Sequence, residues 1–222
     1  MRALVIQHEE DAPAGHVSGW VEARGAEQDV CLISADGASL DPRSYDLVVS
    51  LGSERSAYDD ALPWLAREAA LLRDAVSADV PILGICFGSQ ILARALGGEA
   101  LPSQHTEIGW VSVRTRDESL VPEGPWFQWH HDTFAPPAGA ALLADSPAGP
   151  QAYTLGRSLG VQFHPEVTIP IVEEWVALGG DDLARHGVDG DRLLAETRRQ
   201  ADENRARAWR LLDAFVARVG LA

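Results

Sequence analysis

Short apolar runs alternate with segments of helical periodicity along the first half of the chain. Continuous apolar runs rich in β-branched residues lie at residues 2–7, 29–34, 45–51 and 80–85. Such runs are typical of strands that are covered on both faces, as in a parallel sheet. Segments with apolar side chains at helical spacing lie at residues 15–24, 57–76 and 88–96. The alternation predicts an α/β fold, a three-layer, mostly parallel open sheet with helices on both faces.

The pattern changes after Gly98. Short apolar segments separated by proline and glycine lie at residues 108–115, 125–130, 140–146, 151–156 and 159–164. These segments leave no room for helices between them, so we expect a more antiparallel section added to the sheet. From Pro170 the pattern is helical again, and residues 191–219 predict an amphipathic helix. We expect this helix to pack back onto the domain, with a contact between copies in a homo-oligomer as the alternative.

No stretch of the sequence reads as a linker between two folded parts. We therefore expect a single domain over residues 1–222, with a core at about residues 1–169 and a C-terminal helical extension at about residues 170–222. A chain of this length can bury a sizeable hydrophobic core.

The composition is that of an ordinary globular protein, with 46% hydrophobic and 23% charged residues. A net charge of −15 argues against nucleic acid as the principal partner. All 18 basic residues are arginines, which excludes a lysine nucleophile and a Walker-type phosphate loop. Two cysteines do not make a disulfide framework, and no apolar stretch suits a signal peptide or a membrane span. We therefore expect a cytoplasmic protein that does not bind membranes.

Cys86 stands between an apolar run and a helical pattern in the stretch PILGICFGSQILARALGG, residues 81–98. Gly84 and Gly88 bracket it, and glycines at these positions permit a tight strand-to-helix turn that exposes a nucleophile at the sheet's carboxyl edge. The N-terminal N–H groups of the new helix, that of Phe87 first, can lower a thiol's pKa and stabilise an oxyanion. A buried apolar role is the alternative, and it is the role we expect for Cys31, which has no glycine bracket.

The segment LGVQFHPEV supplies a base and an orienting partner for such a nucleophile. His164 and Glu166 are two positions apart at the end of an apolar run, so that in an extended chain they face the same side. Pro165 favours extended backbone at His164. The carboxylate can then hold the imidazole in one tautomer and leave its other nitrogen for Cys86.

The motifs GICFGSQ and VQFHPE together resemble those of the class I, triad-type glutamine amidotransferases, in particular the amidotransferase domain of GMP synthase. The resemblance extends from the first predicted strand to about Val167 and implies a flavodoxin-like core. It implies that Cys86 is the nucleophile, His164 the base and Glu166 the orienting acid. It also implies that Gln90, one helical turn after Cys86, contacts bound glutamine.

The oxyanion loop matches the family less closely. The family has Gly-Gly-Pro after its third strand, and the N–H of the second glycine completes the oxyanion hole. Here the loop reads Leu51-Gly52-Ser53. The resemblance therefore implies that the N–H groups of Gly52 and Phe87 form the oxyanion hole, in a loop of different shape.

The segment WHHDTF, residues 129–134, resembles the histidine-containing loop that holds the amino-acid end of glutamine. This implies substrate contacts for His130, His131 and Asp132, and a polar strand end without function is the alternative for their side chains. The segment EIGW, residues 107–110, is expected to be structural. His8 could border the cleft, although an ordinary loop position is expected.

The resemblance implies an enzyme that hydrolyses the glutamine side-chain amide through a cysteinyl γ-glutamyl thioester and releases ammonia. No cofactor is needed, and the sequence offers no cluster with metal-ligand spacing. The acceptor of the ammonia is not identified, and we expect a free-standing domain that acts alone or with an ammonia-accepting synthetase partner. The alternatives are a γ-glutamyl hydrolase acting on another γ-glutamyl amide or peptide, and a non-catalytic binding or regulatory module on the same fold.

Overall fold

The computed structural model describes residues 1–35 and 40–221, so that residues 36–39 and Ala222 of the expected domain lie outside the described part. The strands in this part are β1 (Arg2–Gln7), β2 (Glu27–Leu32), β3 (Leu47–Ser50), β4 (Ile82–Ile85), β5 (Glu99–Ser112), β6 (Arg114–Thr115), β7 (Pro125–Ala135), β8 (Ala141–Ser146), β9 (Gly149–Leu155) and β10 (Ser158–Val161). The α-helices are α1 (Gly15–Ala23), α2 (Leu65–Ser77), α3 (Phe87–Ala95), α4 (Ile169–Leu178), α5 (Gly180–Arg185) and α6 (Gly190–Arg218). A short 3-10 helix, Pro42–Ser44, precedes β3.

Eight of these strands form the main sheet, in the order β2-β1-β3-β4-β10-β9-β8-β6. The strands from β2 to β10 in this order pair in parallel, and β9, β8 and β6 continue the sheet in antiparallel pairs. This arrangement confirms the predicted α/β fold with a mostly parallel sheet. The strand β10 lies beside β4, with Gly160 opposite Gly84, although β5 to β9 separate them in sequence.

Helices cover both faces of the sheet. Because successive residues of a strand face opposite sides, each strand contributes side chains to the core on both faces. In β1, Ala3 and Val5 belong to a core cluster that includes residues of α1 and α6. The alternate residues Leu4 and Ile6 belong to a second cluster, with residues of α2 and α3. The three predicted layers therefore have two separate cores.

The expectation for residues 108–130 is wrong in one respect. Instead of joining the main sheet, β5 and β7 form a separate antiparallel ribbon, and only the short strand β6 continues into the sheet. The ribbon packs its aromatic side chains against α4. Phe127 is buried in a third core cluster with Val172 of α4, and Trp110 lies against it with ring centroids 5.5 Å apart. The aromatic side chains of the ribbon are therefore buried against the C-terminal helices and not within the main sheet.

Several element boundaries differ from those predicted: β5 already begins at Glu99 and β7 runs to Ala135, for example. The helix expected at residues 57–76 begins only at Leu65. Pro63 accounts for this late start, because a proline disfavours helical backbone at the preceding residue, here Leu62. The strand expected at residues 159–164 ends at Val161, so His164 lies in the loop that follows β10.

The last helix, α6, packs back onto the domain. Leu211, Leu212 and Phe215 of α6 are buried in the core cluster that includes Trp20 of α1. The indole Nε1 of Trp20 also donates to Asp213 Oδ1 at 3.0 Å. Among the helices of the described ranges, none is both long enough and apolar enough to cross a membrane.

Candidate active site

Cys86 lies at the turn between β4 and α3. Its backbone has φ 51° and ψ −111°, a positive φ that residues other than glycine rarely adopt. Its N–H donates to the carbonyl oxygen of Val161 at 2.8 Å, which ties the turn to the end of β10. A strained strand-to-helix turn of this kind has the geometry of a nucleophile elbow.

Close backbone contacts require both glycines that bracket Cys86. A Cβ atom on Gly84 would lie 2.5 Å from the carbonyl oxygen of Gly88. A Cβ atom on Gly88 would overlap the carbonyl oxygen of Ser50 in β3. A side chain at either position would force the packed elements apart, so the bracket is what allows the tight turn.

His164 is held by Glu166. Its Nδ1 donates to Glu166 Oε1 at 2.7 Å, and both residues are buried. The other ring nitrogen, Nε2, is buried and has no hydrogen-bond partner within residues 1–35 and 40–221. Burial alone would lower the pKa of His164, but the Glu166 carboxylate and, after it, the neighbouring Cys86 raise it to about 10. The imidazole therefore keeps its proton at neutral pH.

Gly52 marks the place where Cys86 and His164 come together. A Cβ atom on Gly52 would lie 2.9 Å from Cε1 of His164 and 3.7 Å from Cβ of Cys86. The three residues follow β3, β4 and β10, which are parallel neighbours and therefore end at one edge of the sheet.

The two predicted oxyanion donors have free backbone N–H groups. Neither the N–H of Gly52 nor that of Phe87 takes part in the hydrogen bonds found in the described part of the chain. Phe87 is the first residue of α3, where the helix itself leaves N–H groups unused. The ring of Phe87 is buried in the core.

A cavity of about 520 Å³ has Cys86 and His164 in its wall. This volume lies within the range of roughly 300–1,000 Å³ that is usual for small-molecule sites. The predicted site residues that line it are Gly52, Cys86, Gln90, His130, His131, Asp132 and His164. Glu166 and Phe87 are outside this lining, and Glu166 reaches the site through its hydrogen bond with His164.

The residues predicted to hold the amino-acid end of glutamine differ in their surroundings. His130 is buried, donates from Nδ1 to the carbonyl oxygen of Asp132 at 2.9 Å, and places Nε2 3.2 Å from Glu107 Oε2. Burial would raise the pKa of Glu107, but its hydrogen bond with His130 helps to lower it. The Asp132 carboxylate accepts from the hydroxyls of Ser56 and Tyr58 at 2.6 and 2.9 Å. Glu107 therefore supports His130, in keeping with its expected structural role.

The sequence pattern described as Glutamine amidotransferase class-I matches residues 23–171 of the chain. The chain belongs to the class I glutamine amidotransferase family. The GMP synthase (glutamine-hydrolysing) of Thermus thermophilus is 33% identical to it over 183 residues, which is 75% of this chain and 34% of that protein. The GMP synthase of Aeropyrum pernix is 35% identical over 113 residues, which is 45% of this chain and 22% of that protein. The chain thus spans about a third or less of the length of these two relatives.

Two solved structures are similar over nearly the whole chain. A glutamine amidotransferase from Thermotoga maritima superposes with a TM-score of 0.90 at 28% identity and covers 97% of this chain and 98% of its own. A glutamine amidotransferase from Methylobacillus flagellatus has the same TM-score and identity and covers 97% and 94%. The class I fold therefore extends through the C-terminal helices of this family member.

Gln162 is a site residue of this amidotransferase that the sequence analysis missed. It is fully buried, and its Nε2 lies 3.5 Å from Cys86 Sγ as a hydrogen-bond donor. Its Oε1 accepts from Gln90 Nε2 at 3.1 Å. Gln162 stands two positions before His164, so the spacing argument that paired His164 with Glu166 could have found it.

Other parts of the site come from residues that no local motif singles out. Trp175 of α4 lines the cavity and contacts the His164 ring edge-on, with ring centroids 5.0 Å apart. The C-terminal helices therefore contribute to the site. His8 lies in the loop after β1, as expected, but it is buried there and contacts the carbonyl oxygen of Gly52.

One cluster of side chains could ligate a metal ion by its residue types. It consists of His131, Asp182 and His186, with one ligand atom of each within 4.8 Å of the others. The carboxylate of Asp182 already has partners. Arg185 Nη1 lies 3.2 Å from its Oδ1, and Trp129 Nε1 donates to its Oδ2 at 3.0 Å. His131 Nε2 lies 3.0 Å from the same Oδ2, so these contacts join α5 to the ribbon.

Proposed function

We propose that this amidotransferase hydrolyses the side-chain amide of glutamine through a γ-glutamyl thioester on Cys86. The observation that carries the proposal is the position of the Cys86 elbow beside His164, whose Nδ1 is bound by Glu166 and whose Nε2 lacks a partner in the described ranges. A thiol, a base with one unoccupied ring nitrogen and a carboxylate that fixes the ring are the groups that nucleophilic acyl transfer needs.

In the first half-reaction the Cys86 thiolate attacks the amide carbon of glutamine. The thiolate is the nucleophilic form of a cysteine, and a protonated His164 beside it would favour that form. The carbonyl oxygen becomes an oxyanion, which the N–H groups of Gly52 and Phe87 stabilise by roughly 3 kcal/mol for each donor. His164 then protonates the amide nitrogen, the C–N bond breaks, and ammonia leaves.

In the second half-reaction water hydrolyses the thioester. Neutral His164 takes a proton from the water as its oxygen attacks the thioester carbon, and glutamate leaves as the thiolate–imidazolium pair forms again. Glu166 keeps the Nδ1 proton in place in both halves. The net reaction converts glutamine and water into glutamate and ammonia.

Gln90, His130, His131 and Asp132 are proposed to bind the substrate, because they line the cavity that contains Cys86. Gln90 is joined to the nucleophile through Gln162. The carboxylate of Asp132, held by two hydroxyls, offers a partner for the α-ammonium group of glutamine.

A second candidate is the hydrolysis of a γ-glutamyl amide whose leaving group is itself a cationic amine. The favouring observation is the charge of the cavity wall, where the carboxylates are Glu9, Asp11, Glu54, Asp132 and Asp182. Arg55 is the arginine in this wall among the described residues, and it already pairs with Glu54 at 2.9 Å. An acidic wall attracts a cationic leaving group and repels an acidic one.

The Thermus thermophilus relative is named a glutamine-hydrolysing GMP synthase. By analogy, we propose that the ammonia formed here passes to a synthetase partner whose acceptor is not identified. A pull-down with the purified protein tests this proposal, and an ammonia-consuming enzyme recovered at constant stoichiometry would support it.

Steady-state release of ammonia or amine from glutamine, a γ-glutamyl diamine and γ-glutamylglutamate tests the choice between substrates. We expect turnover of glutamine, and none with Cys86→Ala. If the protein turns over the γ-glutamyl diamine and not glutamine, the second candidate replaces glutamine hydrolysis as the proposed function. A glutamine-directed alkylating analogue should add mass at Cys86, and a folded protein that takes no label would instead indicate a non-catalytic binding module.

A further inference from the structure

The imidazole of His8 contacts both residues whose N–H groups are the proposed oxyanion donors. His8 follows β1, the neighbour of β3 in the sheet, and is 2% exposed. Its Nδ1 donates to the carbonyl oxygen of Gly52 at 3.0 Å. Its ring packs edge-on against Phe87, with ring centroids 4.7 Å apart. One buried side chain thus connects the loop after β3 with the start of α3.

Glu68 of α2 holds the opposite side of the His8 ring. Glu68 Oε2 lies 2.9 Å from His8 Nε2, and Glu68 Oε1 accepts from the hydroxyl of Ser50 at 2.7 Å. Both side chains are wholly buried. Burial alone would lower the pKa of His8, but Glu68, with a smaller contribution from Glu9, raises it. The ring is therefore held between a carboxylate and a backbone carbonyl, with one ring nitrogen facing each.

Hydrogen bonds fix the peptide groups on both sides of Gly52. The carbonyl oxygen of Leu51 accepts from Gly88 N–H at 3.0 Å. Because a peptide group is planar and trans, this contact also fixes the direction of the Gly52 N–H, opposite to that carbonyl. His8 fixes the next carbonyl, that of Gly52 itself. Leu51-Gly52-Ser53 contains no proline, and glycine has a wide choice of backbone angles, so these contacts set the loop's geometry.

We propose that His8 and Glu68 are a positioning pair that holds the Gly52 N–H toward the oxyanion formed at Cys86. This inference rests on the proposed thioester mechanism. His8 is absent from the cavity lining found in the described residues, so it acts through Gly52 rather than on the substrate. An oxyanion contact forms only in the transition state, so its loss should lower kcat and leave KM nearly unchanged.

Variants in a Glu68→Gln background test the pair without leaving a buried carboxylate unpaired. In this parent a neutral His8 still donates from Nδ1 to Gly52, and the kcat of the parent is the reference for the variants at His8. Adding His8→Phe keeps a ring against Phe87 but removes the donor. We then expect kcat to fall at least about tenfold, short of the roughly 10²–10³-fold cost of losing a whole oxyanion-hole donor. Adding His8→Asn instead restores an amide donor, and kcat should recover.

Two probes separate positioning from general damage. Alkylation of Cys86 by iodoacetamide forms no oxyanion, so its rate should be equal in all variants. Glutamate γ-semialdehyde forms a tetrahedral thiohemiacetal on Cys86, and its affinity should fall with His8→Phe by the same factor as kcat. Ser34→Ala, which removes a 3.0 Å hydrogen bond to the His8 backbone carbonyl, is the control for local packing and should keep full activity.

The unfolding midpoint of each variant is measured first, and His8→Leu replaces His8→Phe if the latter does not fold. If the wild type is active and the folded variant with both Glu68→Gln and His8→Phe keeps the kcat of the Glu68→Gln parent, the positioning pair is overturned. The proposed function would then still stand. Equal losses of kcat and of alkylation rate would also overturn it. A wild-type protein that releases no ammonia from glutamine would overturn the proposed function itself, and the pair with it.

Discussion

The Nδ1 atom of His164 lies 2.7 Å from Oε1 of Glu166, and each of the two side chains is 4% exposed. At this distance in a buried site, the carboxylate stabilises the protonated imidazole and fixes its orientation. The pair therefore determines how strongly the base holds its proton as well as which ring nitrogen is left for Cys86.

Replacing Glu166 with Gln keeps the shape of the side chain but removes its charge. The pKa of His164 should fall, and we expect kcat/KM for glutamine to drop by about 10²–10⁴-fold, the size of a general acid–base contribution. Ammonia release measured across neutral pH checks this. Glu173→Gln is the matched control, because Glu173 is paired with Arg198 at 2.6 Å on the surface. Wild-type activity in Glu166→Gln would place the orienting group elsewhere.

The same pair predicts a dependence of stability on pH. The pKa of His164 is raised from 6.5 to about 10. The stabilisation that protonated His164 gives the folded state is therefore complete below pH 6.5 and is lost as the pH rises to about 10. Glu166→Gln should remove most of it. Urea unfolding of both proteins should therefore show a stability difference that shrinks as the pH rises through this range. A constant difference would contradict the assignment.

Gln162 predicts a loss of activity when its amide is removed. Gln162→Leu deletes the donor to Cys86 Sγ and leaves Gln90 without its partner. Hydrogen bonds to charged groups contribute about 1.5–3 kcal/mol, so we expect kcat to fall by about 10–100-fold. The rate of iodoacetamide alkylation should fall as well, since the thiolate loses a donor. Gln200→Leu on α6 is the matched control, and an unaffected Gln162→Leu would show that the amide has no role.

Gly52→Ala should abolish turnover through a steric effect. The added Cβ atom would lie 2.9 Å from His164 Cε1, closer than real Cβ contacts allow, and His164 would have to move away from Cys86. Gly180→Ala is the control, since a Cβ atom there would meet nothing within 4 Å. Ammonia release and the unfolding midpoint should be unchanged in the control. Full activity of Gly52→Ala would argue against the close packing of Gly52 on His164 and Cys86.

The sequence predicted the parts of the fold that short-range patterns determine. Alternating apolar runs and helical segments identified the layers, and the two glycines around Cys86 identified the turn. The ribbon of β5 and β7 escaped prediction because an apolar strand looks the same whether it adds to a sheet or packs against a helix. What decides between them is the partner, here Val172 against Phe127, and it comes from a distant part of the chain.

The same limit applies to the site. Gly52, Cys86, Gln90 and His164 line one cavity, as their motifs predicted. The contacts that support them depend on which helix packs behind the sheet, and nothing in the sequence near His8 indicates Glu68. Gln162 lies two positions before His164, but a glutamine has no proton-transfer chemistry that would mark it as a site residue in the sequence.

The position of β10 beside β4 has a consequence for the order in which the protein is made. Cys86 and α3 are made before β5 to β9, but Val161, which accepts the hydrogen bond from the Cys86 N–H, Gln162 and His164 are made only after them. A partly synthesised chain therefore carries a thiol without its base. The proposed glutamine hydrolysis therefore requires β10 to be in place beside β4, since that pairing brings His164 to the thiol.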